Sequence, residues 1–214
     1  MTPHKEKTAV PLGVRTVLKV AIADPQVVVI GLSTGGPAAL IEVVPRLPGD
    51  FPLPVLIVQH MPPSFTRSLA DRLKARSRLK VIEAVDGQDV RKGCVLVAPG
   101  DYHMRVRREE KKVIVRLDQG PYENSCRPSV DGLFRSAAEV YGGRVLAIVL
   151  TGMGQDGLLG VKDLKAKGAH VLAQSEASSV VWGMPGAVVQ AGLADAVLNL
   201  DEIAPAILRK VMRR

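Results

Sequence analysis

Val27-Val28-Val29-Ile30-Gly31-Leu32-Ser33-Thr34-Gly35-Gly36-Pro37 decides how the rest of the chain is read. The first four residues are apolar and β-branched, the composition of a buried strand. Glycines then flank a Ser-Thr pair, and Pro37 opens a helical pattern through Leu40, Val43, Val44 and Leu47. Proline suits a helix's first turn, where its missing N–H costs no hydrogen bond. The stretch is therefore strand, tight turn and helix, with Ser33 in the turn. Gly31-Leu32-Ser33-Thr34-Gly35 also fits the G-x-S-x-G nucleophile elbow, in which small neighbours let the chain turn sharply and present a hydroxyl. A helix N-terminus beneath it offers N–H groups and positive potential to a developing oxyanion. An ordinary βα turn with an N-capping serine fits the same five residues.

Working outward, the 214 residues are 47% hydrophobic but only 3% aromatic, so the core must be built of Val, Leu, Ile and Ala, as in buried parallel strands. Cys94 and Cys126 form no disulfide framework and no metal-ligand spacing; they read as free thiols, with no metal site and no cofactor expected. No apolar run approaches the ~20 residues that span a bilayer, and residues 1–24 scatter Lys5, Glu6, Lys7, Arg15 and Lys19 without an apolar core. The expectation is a cytoplasmic protein that does not insert in a membrane.

The net charge of +8 is concentrated. Arg67, Arg72, Lys74, Arg76, Arg78 and Lys80 fall in one predicted helix, and Arg105, Arg107, Arg108, Lys111, Lys112 and Arg116 in a predicted hairpin. Such a field attracts acidic partners. Base-stacking aromatics are scarce and helix-turn-helix or finger signatures are missing, so nucleic acid is not expected and an acidic protein surface is at least as good a fit.

Residues 1–26 read as a tail or linker, and 27–214 as one catalytic domain. Apolar strands are expected at 27–30, 55–59, 80–84, 94–98, 145–150, 169–173 and 194–198. The run 145–150 is the most apolar and is expected to be central. Helices are expected after Pro37, after Ser64 with Phe65, Leu69 and Leu73 inward, after Ser129, from 158 to 167, near 184–190, and after Asp201, which would cap the last. Met104, Val106, Val113, Val115 and Leu117 alternate with charged residues, the pattern of a half-exposed antiparallel hairpin beside or over the sheet. Strands alternating with helices imply an α/β fold: an open, doubly wound, mostly parallel sheet with helices on both faces, three layers in all, plus that hairpin.

In such sheets the ligand site lies beyond the carboxyl ends of the strands. Ser33, His60 and Asp156 all follow strands and share that edge. His170 starts a strand and belongs on the opposite edge; His103 and His4 read as surface residues. A serine needs a base to take its proton and a carboxylate to orient that base, roles His60 and Asp156 can fill. Asp86 and Asp101 also follow strands and remain alternatives for the acid. The order Ser…His…Asp is not that of an α/β-hydrolase. A competing motif is Gly152-Met153-Gly154-Gln155-Asp156-Gly157, a G-x-G-x-x-G turn with Glu176 near the ribose-binding offset. It would make a non-catalytic dinucleotide-binding module. Against it, the Asp156 carboxylate would face the pyrophosphate. Protein docking is the other non-catalytic alternative.

From about Val27 onward the chain resembles the catalytic domain of the chemotaxis protein-glutamate methylesterases. The resemblance is carried by Gly31-Leu32-Ser33-Thr34-Gly35-Gly36, Gln59-His60-Met61 with Phe65-Thr66, Ala98-Pro99-Gly100, Arg127-Pro128-Ser129-Val130-Asp131, Leu150 through Gly157, and Gly183-Met184-Pro185. It implies Ser33 as nucleophile, His60 as general base and acid, Asp156 as the orienting carboxylate, and the backbone N–H groups of Thr34 and Met153 as oxyanion hole. The implied reaction is hydrolysis of glutamate γ-methyl esters on the cytoplasmic helices of chemoreceptors, with methanol released. Deamidation of receptor glutamines is a second implied activity, and a monomer is expected. Leu32 stands where the family commonly has Ala. Family members usually carry an N-terminal receiver domain of ~120 residues, whereas only 26 residues precede the first strand here. Either the chain is a fragment that begins in the linker or it is a stand-alone esterase; without a receiver, its activity is expected to be constitutive and unaffected by acetyl phosphate.

Overall fold

The computed structural model describes residues 24–212. The assignment of 1–26 as a tail thus lies almost wholly outside the described residues. Seven strands form one parallel sheet: β1 (Val27–Leu32), β2 (Val55–Gln59), β3 (Lys80–Glu83), β4 (Cys94–Val97), β7 (Val145–Val149), β8 (His170–Gln174) and β9 (Ala196–Leu198), in the order β3-β4-β2-β1-β7-β8-β9. Strands β5 (His103–Glu109) and β6 (Lys112–Asp118) form a separate antiparallel hairpin. The middle of the sheet is β1, with the more apolar β7 beside it, so every residue of β1 is buried.

Side chains alternate across a strand, and β1 divides the core accordingly. Val28, Ile30 and Leu32 face α1 (Gly36–Val43), α2 (Pro63–Lys74) and α6 (Leu200–Val211). Val27 and Val29 face α3 (Val130–Tyr141), α4 (Leu158–Ala166), α5 (Met184–Gln190) and the hairpin's Met104, Val106 and Val115. This is the expected three-layer arrangement, with the hairpin packed against α3 on the same face of the sheet. Each fully buried Val, Leu or Ile contributes about 1.5–3 kcal/mol, so the two apolar layers hold the strand ends in fixed register.

Several local expectations are corrected. Helix α2 begins at Pro63, with Pro62 at its cap, so Ser64 lies inside the helix. Its inward stripe is Thr66, Leu69, Ala70 and Leu73, an i, i+3, i+4, i+7 set, and Phe65 is exposed. The helix stops at Lys74, so Arg76 and Arg78 lie in the following turn and Lys80 opens β3. Asn199, not Asp201, caps α6, and its N–H donates to the Glu202 carboxylate at 2.8 Å. His103 is buried: Ser129 N–H donates to its Nδ1 (3.2 Å), which leaves Nε2–H to donate to Pro121 O (2.9 Å). That pairing fixes the ring's orientation inside the hairpin junction. His4 lies outside the described residues.

Candidate active site

Parallel pairing brings the turns after β1, β2 and β7 to one edge. Leu32 is in register with Gln59, so Ser33 and His60 leave adjacent strands side by side, at the ~4.8 Å spacing of neighbouring strands. The Gln59 amide fixes this alignment: its Nε2 donates to Ser33 O and to His60 O, both at 2.9 Å. Ser33 N–H donates to Thr151 O at 3.0 Å, and the Thr151 hydroxyl donates to Thr34 O at 2.9 Å. The serine turn is thus fastened on both sides.

Ser33 does not cap α1. Gly35 does, at φ 82, a left-handed conformation that favours glycine, and no side chain caps the helix. Among the described residues, no hydrogen bond joins the Ser33 hydroxyl to His60. Nε2 lies 2.7 Å from Asp156 Oδ2, and Nδ1 lies 3.5 Å from Cys126 Sγ. Gly152 packs against the serine: a Cβ there would lie 2.8 Å from Ser33 Cβ.

Asp156 lies in the turn between β7 and α4 and is 3% exposed. Its Oδ1 accepts from Asn124 Nδ2 (2.9 Å), Ser129 Oγ (2.8 Å), Asp131 N–H (3.2 Å) and Gly157 N–H (3.0 Å). Its Oδ2 accepts from Val130 N–H at 2.6 Å as well as from His60. The carboxylate therefore sits on the N-terminus of α3, where backbone N–H groups and the helix dipole favour negative charge. Ser129 precedes α3 as expected, but its hydroxyl serves Asp156 rather than the helix.

Electrostatics follow from these contacts. Burial opposes the Asp156 charge, but hydrogen bonds from His60 and Val130 N–H outweigh it and bring the pKa down to about 2. Burial likewise opposes the imidazolium of His60; hydrogen bonding to Asp156, then to Cys126, outweighs it and raises the pKa to about 9. Burial raises the neighbouring Asp131 carboxyl, and the Asp156 charge adds to that rise although Gly160 N–H opposes it. Asp131 is tied into the same cluster through Asn124 Nδ2, at 2.8 Å.

Asp86 and Asp101, the alternative acids, are occupied elsewhere. Asp86 accepts from Leu117 N–H and pairs with Arg116; Asp101 pairs with Arg127. His170 opens β8 on the opposite edge. The N–H groups of Thr34 and Met153 donate to no backbone oxygen of the described residues. Sequence spacing did not reveal Cys126, Asn124, Ser129 and Asp131 as neighbours of His60 and Asp156. Their signals are the Arg127–Asp131 motif, which holds Ser129 and Asp131, and their place in the loop and first turn that open α3. The donor atoms of His60, Cys126 and Asp156 lie within 4.8 Å of one another and could hold a metal ion, a cluster missed by a test for local cysteine spacing. No described helix is long and apolar enough to cross a membrane.

Comparison with known proteins bears on the family and the fold. The family model for CheB methylesterase matches residues 28–207. The chain is 50% identical over 186 residues to a protein-glutamate methylesterase/protein-glutamine glutaminase of Trichodesmium erythraeum, covering 87% of this chain and 53% of that protein. It is 54% identical over 183 residues to protein-glutamate methylesterase/protein-glutamine glutaminase 2 of Caulobacter vibrioides, covering 85% and 53%. The crystal structure of the Thermotoga maritima CheB methylesterase catalytic domain superposes with a TM-score of 0.85 at 44% identity, covering 87% of this chain and 99% of that one. The chain spans about half the length of the curated relatives it matches. Sequence, fold and the edge that gathers Ser33, His60 and Asp156 lead to one conclusion: the chain belongs to the CheB methylesterase family.

Proposed function

We propose that residues 27–214 form a serine esterase that hydrolyses glutamate γ-methyl esters on chemoreceptor helices in the cytoplasm, acting as a monomer. The observation that carries this reading is the 2.7 Å contact of His60 with the buried Asp156 carboxylate, beside a serine whose hydroxyl caps no helix. Ser33 is the nucleophile in this reading. Asp156 holds Nε2–H of the imidazole, so Nδ1 is the nitrogen that takes the serine proton as Oγ attacks the ester carbonyl. Thr34 and Met153 N–H groups stabilise the oxyanion. The imidazolium then returns its proton to the departing methanol, and water hydrolyses the acyl-enzyme by the same steps in reverse. Deamidation of a receptor glutamine follows the same route with ammonia leaving, in keeping with the glutaminase activity in the relatives' names.

A macromolecular substrate suits the rim of this edge. Phe65, Tyr122, Met153 and Val180 expose apolar side chains there, and α2 carries Arg67, Arg72 and Lys74 toward an acidic partner. A dinucleotide is disfavoured, because the Asp156 carboxylate in that turn is charged and already committed to His60 and to the start of α3.

Methanol release from methylated receptor cytoplasmic fragments tests the reading. The expected result is release by the wild type and a loss on the order of 10⁴–10⁶ in kcat for Ser33→Ala. No release by folded wild-type protein would overturn it.

A further inference from the structure

We propose that Cys126 and His60 form a binding site for a thiophilic divalent cation such as Zn²⁺, and that its occupation blocks the catalytic base. The two side chains share a hydrogen-bond contact whose length is also a metal-ligand separation. A tetrahedral zinc with Zn–S of about 2.3 Å and Zn–N of about 2.05 Å separates its sulfur and nitrogen ligands by about 3.6 Å. Cys126 Sγ and His60 Nδ1 are 3.5 Å apart. The two residues are 66 positions apart in sequence and are brought together only by the loop entering α3.

The opposite ring nitrogen supplies a second, independent feature. Asp156 accepts from Nε2–H at 2.7 Å, the carboxylate–histidine–metal relation that orients the ring, leaves Nδ1 facing Cys126 and raises its basicity toward a metal. Thiolate and imidazole together suit zinc rather than magnesium or calcium, which take oxygen ligands. The neighbouring Arg127 does not repel a cation strongly, since Asp101 Oδ1 accepts from its Nε at 3.0 Å. Access is direct: His60 and Cys126 line a surface cleft of about 390 Å³ with Met61, Tyr122 and Arg127. Water from that cleft completes the coordination.

Binding displaces the Cys126 Sγ–H proton and, below the His60 pKa of about 9, the imidazolium proton on Nδ1; both go to solvent, so affinity rises with pH. The metal then occupies the Nδ1 lone pair that would accept the Ser33 proton. The blocking effect, though not the binding, rests on the esterase reading, so the two are measured separately.

The full chain, reduced and stripped of metal, is titrated with Zn²⁺ by calorimetry and with Co²⁺ by absorption. One equivalent of metal and a thiolate-to-cobalt charge-transfer band are expected. Cys126→Ala should abolish the band and weaken Zn²⁺ binding by at least about tenfold, the cost of losing even an outer-shell partner. Cys126→Ser, which keeps a polar group of similar size, should do the same and guards against a folding artefact; Cys94→Ala should change neither readout. In the hydrolysis assay Zn²⁺ should inhibit the wild type, and each Cys126 variant, relative to its own metal-free rate, should need at least about tenfold more metal. A wild type without the cobalt–thiolate band, or binding unchanged in both Cys126 variants, overturns the proposal. Metal binding that depends on Cys126 in a protein with no hydrolysis at all would support the site and overturn the esterase reading.

Discussion

The turns after β1 and β7 meet at the same edge and treat their polar groups in opposite ways. The first leaves the Ser33 hydroxyl without a cap to serve and the Thr34 N–H without a backbone acceptor. The second buries a carboxylate and surrounds it with donors from α3, its preceding loop and His60. A nucleophile must be free to change partners during a reaction, whereas the group that orients its base must not. One turn is therefore built for chemistry and the other for position, and substitutions should separate the two.

The sharpest separation is Ser33→Ala against Asp156→Ala. Both should lose on the order of 10⁴ or more in kcat. Only Asp156→Ala should also unfold more easily, by about 2–4 kcal/mol in a denaturant titration, because it strands buried donors and uncaps α3. Equal stability of the two variants would break the contrast. Next in size is Gly152→Ala, which inserts a methyl group between the turns, against Ser33 Cβ and Met184 Sδ. Overpacking there should cost about 1–3 kcal/mol, and displacing the serine should lower kcat on the order of 10²-fold with substrate KM little changed.

The smallest effect is in pH dependence. The base must be neutral, and Asp156 helps to hold the His60 pKa near 9. In metal-free buffer kcat/KM should therefore climb about tenfold per pH unit below that value. The same pairing stabilises the fold fully below the ordinary histidine pKa of about 6.5, and that contribution is lost as pH rises through about 9. The Asp156 contribution runs the other way, present above the ordinary value of 3.8 and lost as pH falls through about 2. Thermal melts of Ser33→Ala should keep both dependences and those of Asp156→Ala should lose both.

The sequence carried the sheet well, because buried parallel strands are continuous apolar runs such as Val27–Ile30 and Val145–Val149. The hairpin was equally plain from its alternation. Helix starts were less legible. Ser64 looks like a cap, but Pro62 and Pro63 already set the helix entry, which turns Thr66 inward and Phe65 outward. The edge rule brought Ser33, His60 and Asp156 together, since it needs only strand direction. The loop Asn124–Ser129 holds part of a family motif, but its contacts with His60 and Asp156 were not legible. Its side chains reach His60 and Asp156 across segments of different strands, and no local period records such a meeting.

The separation of 96 positions from His60 to Asp156 also orders events during synthesis. A ribosome completes the serine elbow first, the imidazole next, the helix that Asp156 will cap after that, and the carboxylate last. Until that residue has emerged, His60 lacks the partner that orients it, and the start of α3 lacks its anion. A nascent or truncated chain therefore carries a nucleophile with no working base, and the last part of the site to arrive is also the one that locks α3 in place.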